Sequence, residues 1–179
     1  MSKFYMIPNS YNLEEFSEEK MITCSICKAM IHPSCYHQKF TEDDYLYFTC
    51  QRCKDAVITH KEVGAFKCFI CDESDGILVK NEFTGEYYHS LCVKLIPELA
   101  QEIDEEKITR TNVRKWRYKN SCKYCNSRLS KSKAVLKCAN PKCKDYYHIP
   151  CAIEKGMIFN TNYMIHFYNT IEKDFTEGS

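Results

Sequence analysis

A small α+β fold, stapled by bound metal rather than by one large apolar core, is what the 179-residue sequence predicts. Three observations predict it. Thirteen residues are cysteine, most of them in short-spaced pairs. One pattern, two bulky residues followed by H-x-x-C, occurs three times along the chain. Gly and Pro number only five each, which excludes a low-complexity linker. Modules as short as these repeats bury too little apolar surface to fold unaided, so a staple is required.

Disulfide bonds and metal ions are the two staples available. The cysteine count is odd, histidines lie beside several pairs, and the opening residues from Met1 carry no long apolar stretch of the signal-peptide kind. No run approaches the length of a membrane helix. The expectation is therefore metal ligation in a reducing compartment, cytosol or nucleus.

The repeats run in order as Met30-Ile31-His32-Pro33-Ser34-Cys35, Tyr87-Tyr88-His89-Ser90-Leu91-Cys92 and Tyr146-Tyr147-His148-Ile149-Pro150-Cys151. Upstream of each stands a C-x-x-C pair: Cys24/Cys27, Cys68/Cys71 and Cys122/Cys125. Structural zinc takes four thiolate or imidazole ligands in a tetrahedron. A C-x-x-C turn supplies two, and an H-x-x-C pair at the end of a short strand entering a helix supplies the others. The bulky pair before each histidine suits such a strand. Ile77-Leu78-Val79 and Glu86-Tyr87-Tyr88 read as a hairpin with Thr84-Gly85 near its turn. Cys50/Cys53 and Cys138/Cys143 are two further pairs. His37, His60 and His166 lack such partners and read as buried, satisfied side chains.

The net charge of +1 conceals a strong polarity. Residues 1–106 carry 10 Lys/Arg against 19 Asp/Glu, residues 107–144 carry 13 Lys/Arg and no acid, and residues 145–179 carry 2 against 5. Arg110, Arg114, Lys115, Arg117, Lys119, Lys123, Arg128, Lys131, Lys133 and Lys137 form a candidate backbone-binding surface for DNA, sequence-tolerant and salt-dependent. The alternative is a basic face for an acidic protein partner. Trp116, the only tryptophan, reads as a packing anchor rather than a base stacker.

The order C-x-x-C, four residues, H-x-x-C, fourteen residues, C-x-x-C between Cys24 and Cys53 resembles the second half of a PHD finger, flanked as it is by Met21-Ile22-Thr23 and Tyr47-Phe48-Thr49. Cys68 to Cys92 resembles a zinc knuckle, with Gly64-Ala65-Phe66-Lys67 and Leu95-Ile96-Pro97-Glu98 as its flanks. Cys122 to Cys151, preceded by Arg114-Lys115-Trp116, resembles an extended PHD finger. Over residues 20–160 the chain thus resembles the PHD–knuckle–PHD module of Jade, BRPF and yeast Nto-type subunits of histone acetyltransferase complexes. The implied architecture is tandem PHD-like fingers with an intervening zinc knuckle, built from short hairpins and short helices. Its segments are an N-terminal extension (1–20), a partial PHD-like finger (21–54), the knuckle (64–96), a basic connector (97–121), an extended PHD-like finger (122–171) and a tail (172–179).

The chain departs from that pattern at both ends. Residues 1–23 contain no Cys or His to partner His32 and Cys35. Only His166 follows Cys151, which leaves Cys138 and Cys143 as half a site. The cross-brace logic of the family gives three complete zinc sites, Cys24/Cys27/Cys50/Cys53, Cys68/Cys71/His89/Cys92 and Cys122/Cys125/His148/Cys151. A catalytic zinc keeps a position open, so four-ligand sites are structural, and no catalytic residue is expected.

The resemblance implies a nuclear chromatin reader that contacts a histone tail and DNA, as a subunit of a histone acetyltransferase complex. The tail would add as a strand to Lys20-Met21-Ile22-Thr23, with Glu18, Glu19, Met21, Ile22, Thr23 and Met30 as candidate contacts. Glu14, Glu15, Glu42, Asp43 and Asp44 are further acids for a basic tail. A solvated helix opened by Asn12-Leu13-Glu14-Glu15 explains the N-terminal acids equally well. Methyl-lysine readers of the family carry Trp where Met30 stands, so unmodified lysine is expected to be tolerated or preferred. A protein-interaction scaffold without histone binding and a RING-like ubiquitin ligase are the alternatives. The usual histidine position of a RING finger differs from the one here.

Overall fold

The computed structural model describes residues 20–33, 36, 40–100, 104–125, 132–160 and 164–166. Two compact units divide the chain, Met1–Leu91 and Cys92–Ser179, and the division falls inside one helix. Among the described residues every sheet is an antiparallel pair of strands only two or three residues long. Sheets this small have no face large enough for a self-sufficient core, so the α+β expectation holds together with its need for staples.

In the first unit, β1 (Ile22–Thr23) pairs with β2 (Met30–Ile31) in the register Ile22↔Ile31. Ile22 and Ile31 are buried, and the Phe48 ring meets those of Tyr36 and Phe40 edge to face, its centroid 5.3 Å from that of Tyr36. α1 (Asp44–Tyr47) is a single turn. α2 (Gln51–Thr59) starts directly after Cys50, and its first N–H, that of Gln51, is satisfied by the Tyr36 hydroxyl at 2.7 Å. It ends at His60, whose left-handed φ of 52° lets the Lys61 N–H reach back to the Ala56 carbonyl. His60 is exposed at that cap rather than buried.

The hairpin expected around Thr84-Gly85 is present but later and shorter. β3 (Val79–Lys80) pairs with β4 (Tyr87–Tyr88), so Ile77, Leu78 and Glu86 stay outside the ladder. Asn81 explains the offset. It is fully buried, and its Oδ1 accepts the Phe83 and Thr84 N–H groups, which closes the turn just past Lys80. Gly85 supplies the positive φ, 73°, that brings the chain back.

β4 runs into α3 (Ser90–Leu95), followed by α4 (Pro97–Ala100), which buries Leu99. Single turns of 3-10 helix follow, among them Lys115–Tyr118. β5 (Val135–Lys137) pairs with β6 (Tyr146–His148), which enters α5 (Ile149–Glu154) with Pro150 in the first turn, where its missing N–H costs nothing. β7 (Ile158–Asn160) and β8 (Met164–His166) close the described chain. Ile96, Leu99, Val113, Ala134, Val135, Leu136, Ile149 and Ala152 form the apolar interior of the second unit. No helix among the described residues is long and apolar enough to cross a membrane.

Candidate metal centres

Two C-x-x-C turns have the same backbone. The residue after the second cysteine, Lys28 or Asp72, has φ of 60°, and its N–H returns to the carbonyl of the first cysteine, at 3.0 Å for Cys24 and 2.8 Å for Cys68. That turn aims both sulfurs to one side. The matching pair comes from the head of α2 in the first case and from the β4–α3 junction in the second; the third centre draws its pair from the β6–α5 junction.

The structure gathers Cys24, Cys27, Cys50 and Cys53; Cys68, Cys71, His89 and Cys92; and Cys122, Cys125, His148 and Cys151, with the ligand atoms of each group within 4.8 Å of one another. A tetrahedral zinc with its usual bond lengths needs sulfur–sulfur edges of about 3.8 Å and sulfur–nitrogen edges of about 3.5 Å. Cys27 Sγ and Cys50 Sγ are 3.9 Å apart. His89 Nδ1 lies 3.3 Å from Cys71 Sγ, and His148 Nδ1 lies 3.4 Å from Cys125 Sγ and 3.9 Å from Cys151 Sγ. The donor sets and edges fit zinc.

Electrostatics makes the same point. Hydrogen bonding from Cys50 draws the Cys27 thiol down to about 4, while that bond and burial push Cys50 far above the ordinary thiol range, and burial lifts Cys53 to about 11. Burial disfavours a charged His89 ring, but the Cys68 and Cys71 sulfurs outweigh it and raise the ring to about 10. Burial and the neighbouring sulfurs carry Cys151 up to about 12. Such crowding of ionisable sulfur is resolved by a divalent cation, which lets every thiol ionise at once.

Backbone N–H groups already point at one sulfur of each cluster: Cys50 N–H at Cys24, His89 N–H at Cys68 and His148 N–H at Cys122, all at 3.4 Å. The His89 ring is oriented from behind, because Nε2 lies 2.7 Å from the Asp75 carbonyl and so carries the proton, leaving Nδ1 for a metal. Gly76, with φ of 80°, shapes the loop that presents that carbonyl. Burial and the charge of Lys133 keep His148 low and therefore neutral.

His32 joins no cluster among the described residues, and Cys35 lies outside them. Cys138 and Cys143 face each other without a third ligand among the described residues. Glu14, Glu15, Glu18 and Glu19 also lie outside the described residues. Met21, Thr23 and Met30 are exposed, as are Glu42 and Asp43, and no third strand pairs with β1 among the described residues. Ile22 is only 1 % exposed, so its side chain is not available to a ligand.

The basic segment needs one correction. Arg117 is buried: its Nε and Nη2 grip the two Glu98 carboxylate oxygens at 2.7 and 2.8 Å, and its Nη1 donates to the Val135 carbonyl. A guanidinium spent in this way cannot meet a phosphate. Arg110, Arg114, Lys115, Lys119, Lys123 and Lys137 are exposed, Lys133 is half-buried, and Arg128 and Lys131 lie outside the described residues. The Trp116 ring packs 5.7 Å from that of Tyr146, in keeping with an anchor. The sequence does not single out Arg52 between Cys50 and Cys53, Asp75 behind His89, or Asp55 and Glu98 with their buried partners. For Arg52 the available signal is a charge set between two metal-type cysteines.

Comparison with known proteins agrees with this geometry. Protein Jade-1 of Bos taurus is 25 % identical over 146 residues, 79 % of this chain and 26 % of that protein. Lysine-specific demethylase 4B of Mus musculus is 25 % identical over 155 residues, 84 % of this chain and 13 % of its own length. Histone-lysine N-methyltransferase ATX2 of Arabidopsis thaliana is 26 % identical over 148 residues, 80 % and 13 % of the two chains. The chain therefore spans at most about a quarter of these relatives. The crystal structure of zebrafish PHF14-PZP shares the fold, with a TM-score of 0.56 at 23 % identity, covering 78 % of this chain and 69 % of that one. The model of the PHD-zinc-finger-like domain matches residues 66–174, more than half of the sequence, and the chain belongs to that family.

Proposed function

We propose that this chain is a non-catalytic, zinc-stapled chromatin reader of the nucleus, serving within a histone acetyltransferase complex. The twelve clustered Cys and His side chains act as the ligands of three structural ions. The segments 21–54, 64–96 and 122–171 act as first finger, knuckle and extended finger. The observation that carries the reading is the edge of β1, open among the described residues, beside exposed Met21, Thr23 and Met30. An extended peptide adds to such an edge through backbone hydrogen bonds and is selected by the side chains beside it. Glu42 and Asp43 suit a basic peptide, and the name of one relative, a histone-lysine N-methyltransferase, favours a histone tail as that peptide. The exposed cations from Arg110 to Lys137 hold DNA through its phosphates without reading bases.

Titration of labelled core-histone tail peptides tests the proposal. Binding of an unmodified tail, lost when Thr23 is replaced by Pro, is the expected result; no binding to any tail refutes it. The scaffold alternative draws on one observation, that His32 belongs to no described cluster. A ligase reading draws on the name of one relative, E3 ubiquitin-protein ligase Jade-2 of Mus musculus, 25 % identical over 146 residues. Autoubiquitination with a purified conjugating enzyme decides that case.

A further inference from the structure

Arg52 stands between Cys50 and Cys53 on the first turn of α2, and only 4 % of it is exposed. A guanidinium stays protonated in proteins, so a positive charge is buried there. Among the described residues no carboxylate pairs with it: Asp55, the nearest buried acid in sequence, is taken by Lys80 at 2.9 Å, by the Tyr87 hydroxyl and by Gln51. Its Nε has no hydrogen-bond partner among them either. A buried cation without a carboxylate persists only beside another source of negative charge. Four thiolates around one zinc ion leave a net charge of about −2, against about −1 for a centre with three thiolates and one imidazole. The four-thiolate centre holds Cys50 and Cys53 on either side of Arg52.

The other end of the guanidinium makes a different contact. Nη1 donates to the Ser74 carbonyl. Ser74 lies in the loop whose Glu73 carbonyl receives the Cys68 N–H at 2.9 Å and whose Asp75 carbonyl orients His89. One side chain thus touches the surroundings of two metal centres.

We propose that Arg52 is a positioning residue that ties the first and second metal centres into a cooperative pair. Its charge offsets the four-thiolate centre, and its Nη1 bond to Ser74 fixes the loop that holds His89 in ligating orientation. The inference rests on reading both clusters as metal centres. Loss of metal from the first centre then removes the anion that keeps Arg52 in place, frees the loop and weakens the second centre. The third centre has no such link among the described residues and serves as a control.

The test uses the full chain loaded with cadmium-113, whose NMR signal separates a four-sulfur site from three-sulfur, one-nitrogen sites. Cys125→Ser identifies the third-centre signal. Release to a chelator is followed site by site in the parent chain, in Cys53→Ser, in Arg52→Met and in the double variant. Outer groups that orient metal ligands are worth about 10- to 100-fold in metal affinity. Arg52→Met is expected to speed loss from the four-sulfur centre by at least about tenfold on that scale, with the third centre unchanged. Cys53→Ser is expected to speed loss from the second centre when Arg52 is present and to have no such effect in Arg52→Met. Arg52→Lys, which keeps the charge without the Nη1 donor, retains the first ion and loses the coupling. Equal acceleration by Cys53→Ser in both backgrounds overturns the role of Arg52. An absent four-sulfur signal in the parent chain overturns the metal-centre reading beneath it.

Discussion

Removing Arg117 separates a fold-stabilising cation from a nucleic-acid-binding one. Only 6 % of the Arg117 side chain and 11 % of the Glu98 side chain are exposed. The carboxylate takes two bonds from the guanidinium, at 2.7 and 2.8 Å, and a third from the Arg114 N–H at 2.9 Å. The guanidinium's remaining bond, to the Val135 carbonyl at 3.1 Å, fastens the 3-10 turn Lys115–Tyr118 to β5. Breaking a buried pair from one side strands the other charge and costs about 3–5 kcal/mol, whereas an exposed pair costs less than about 1. Arg117→Met should therefore destabilise the zinc-loaded chain by about 3–5 kcal/mol. Arg117→Met with Glu98→Leu should recover most of that loss.

The pair also gives a pH signature. Burial pushes the Glu98 carboxyl up, but the Arg117 bonds and the Arg114 N–H outweigh it and hold it below the usual carboxylate range. The stabilisation is therefore complete above the unfolded carboxylate range, about pH 4.3, and fades as pH falls through the lower folded value. Urea unfolding of the parent chain and Glu98→Gln, in the same zinc buffer at several pH values, reads this directly. The difference between the two should shrink at acid pH. A loss below about 1 kcal/mol for Arg117→Met, or a weaker salt dependence of DNA binding with stability intact, refutes the reasoning.

Three further outcomes follow from the same geometry. Charge reversal at exposed Lys115 and Lys119 should flatten the salt dependence of DNA affinity, measured by fluorescence anisotropy, by about one log unit per log unit of salt for each phosphate that is no longer neutralised. Asp55→Leu leaves Lys80 and the Tyr87 hydroxyl without their buried partner and should cost the first unit about 3 kcal/mol or more by urea unfolding. A strong chelator should unfold the chain, with loss of far-ultraviolet dichroism reversed by added zinc, because two-stranded sheets cannot persist alone.

Metal spacing is legible because it is a local code. Cys24/Cys27 and Cys68/Cys71 declare their turns within four residues, and the H-x-x-C repeats declare the strand-to-helix junctions at β4–α3 and β6–α5. Pairing between distant residues carries no such period. Glu98 meets Arg117 nineteen residues later, and Asp55 meets Tyr87 after thirty-two. In a sequence both look like surface charge, which is why Arg117 counts there with the basic patch. Register is hidden for a related cause. The alternation around Val79 permits several hairpins, and a buried Asn81 closing its own turn selects among them.

Native mass spectrometry of the full chain, purified with zinc, tests the central claim most directly. Three bound ions are expected, with one lost in each of Cys24→Ser, Cys68→Ser and Cys122→Ser, one variant for each cluster. Fewer than three ions in the parent chain, or a serine variant that keeps all of them, contradicts the three-centre account. Four or five would contradict it as well, by requiring ligands for His32 or for Cys138 and Cys143 beyond the three clusters.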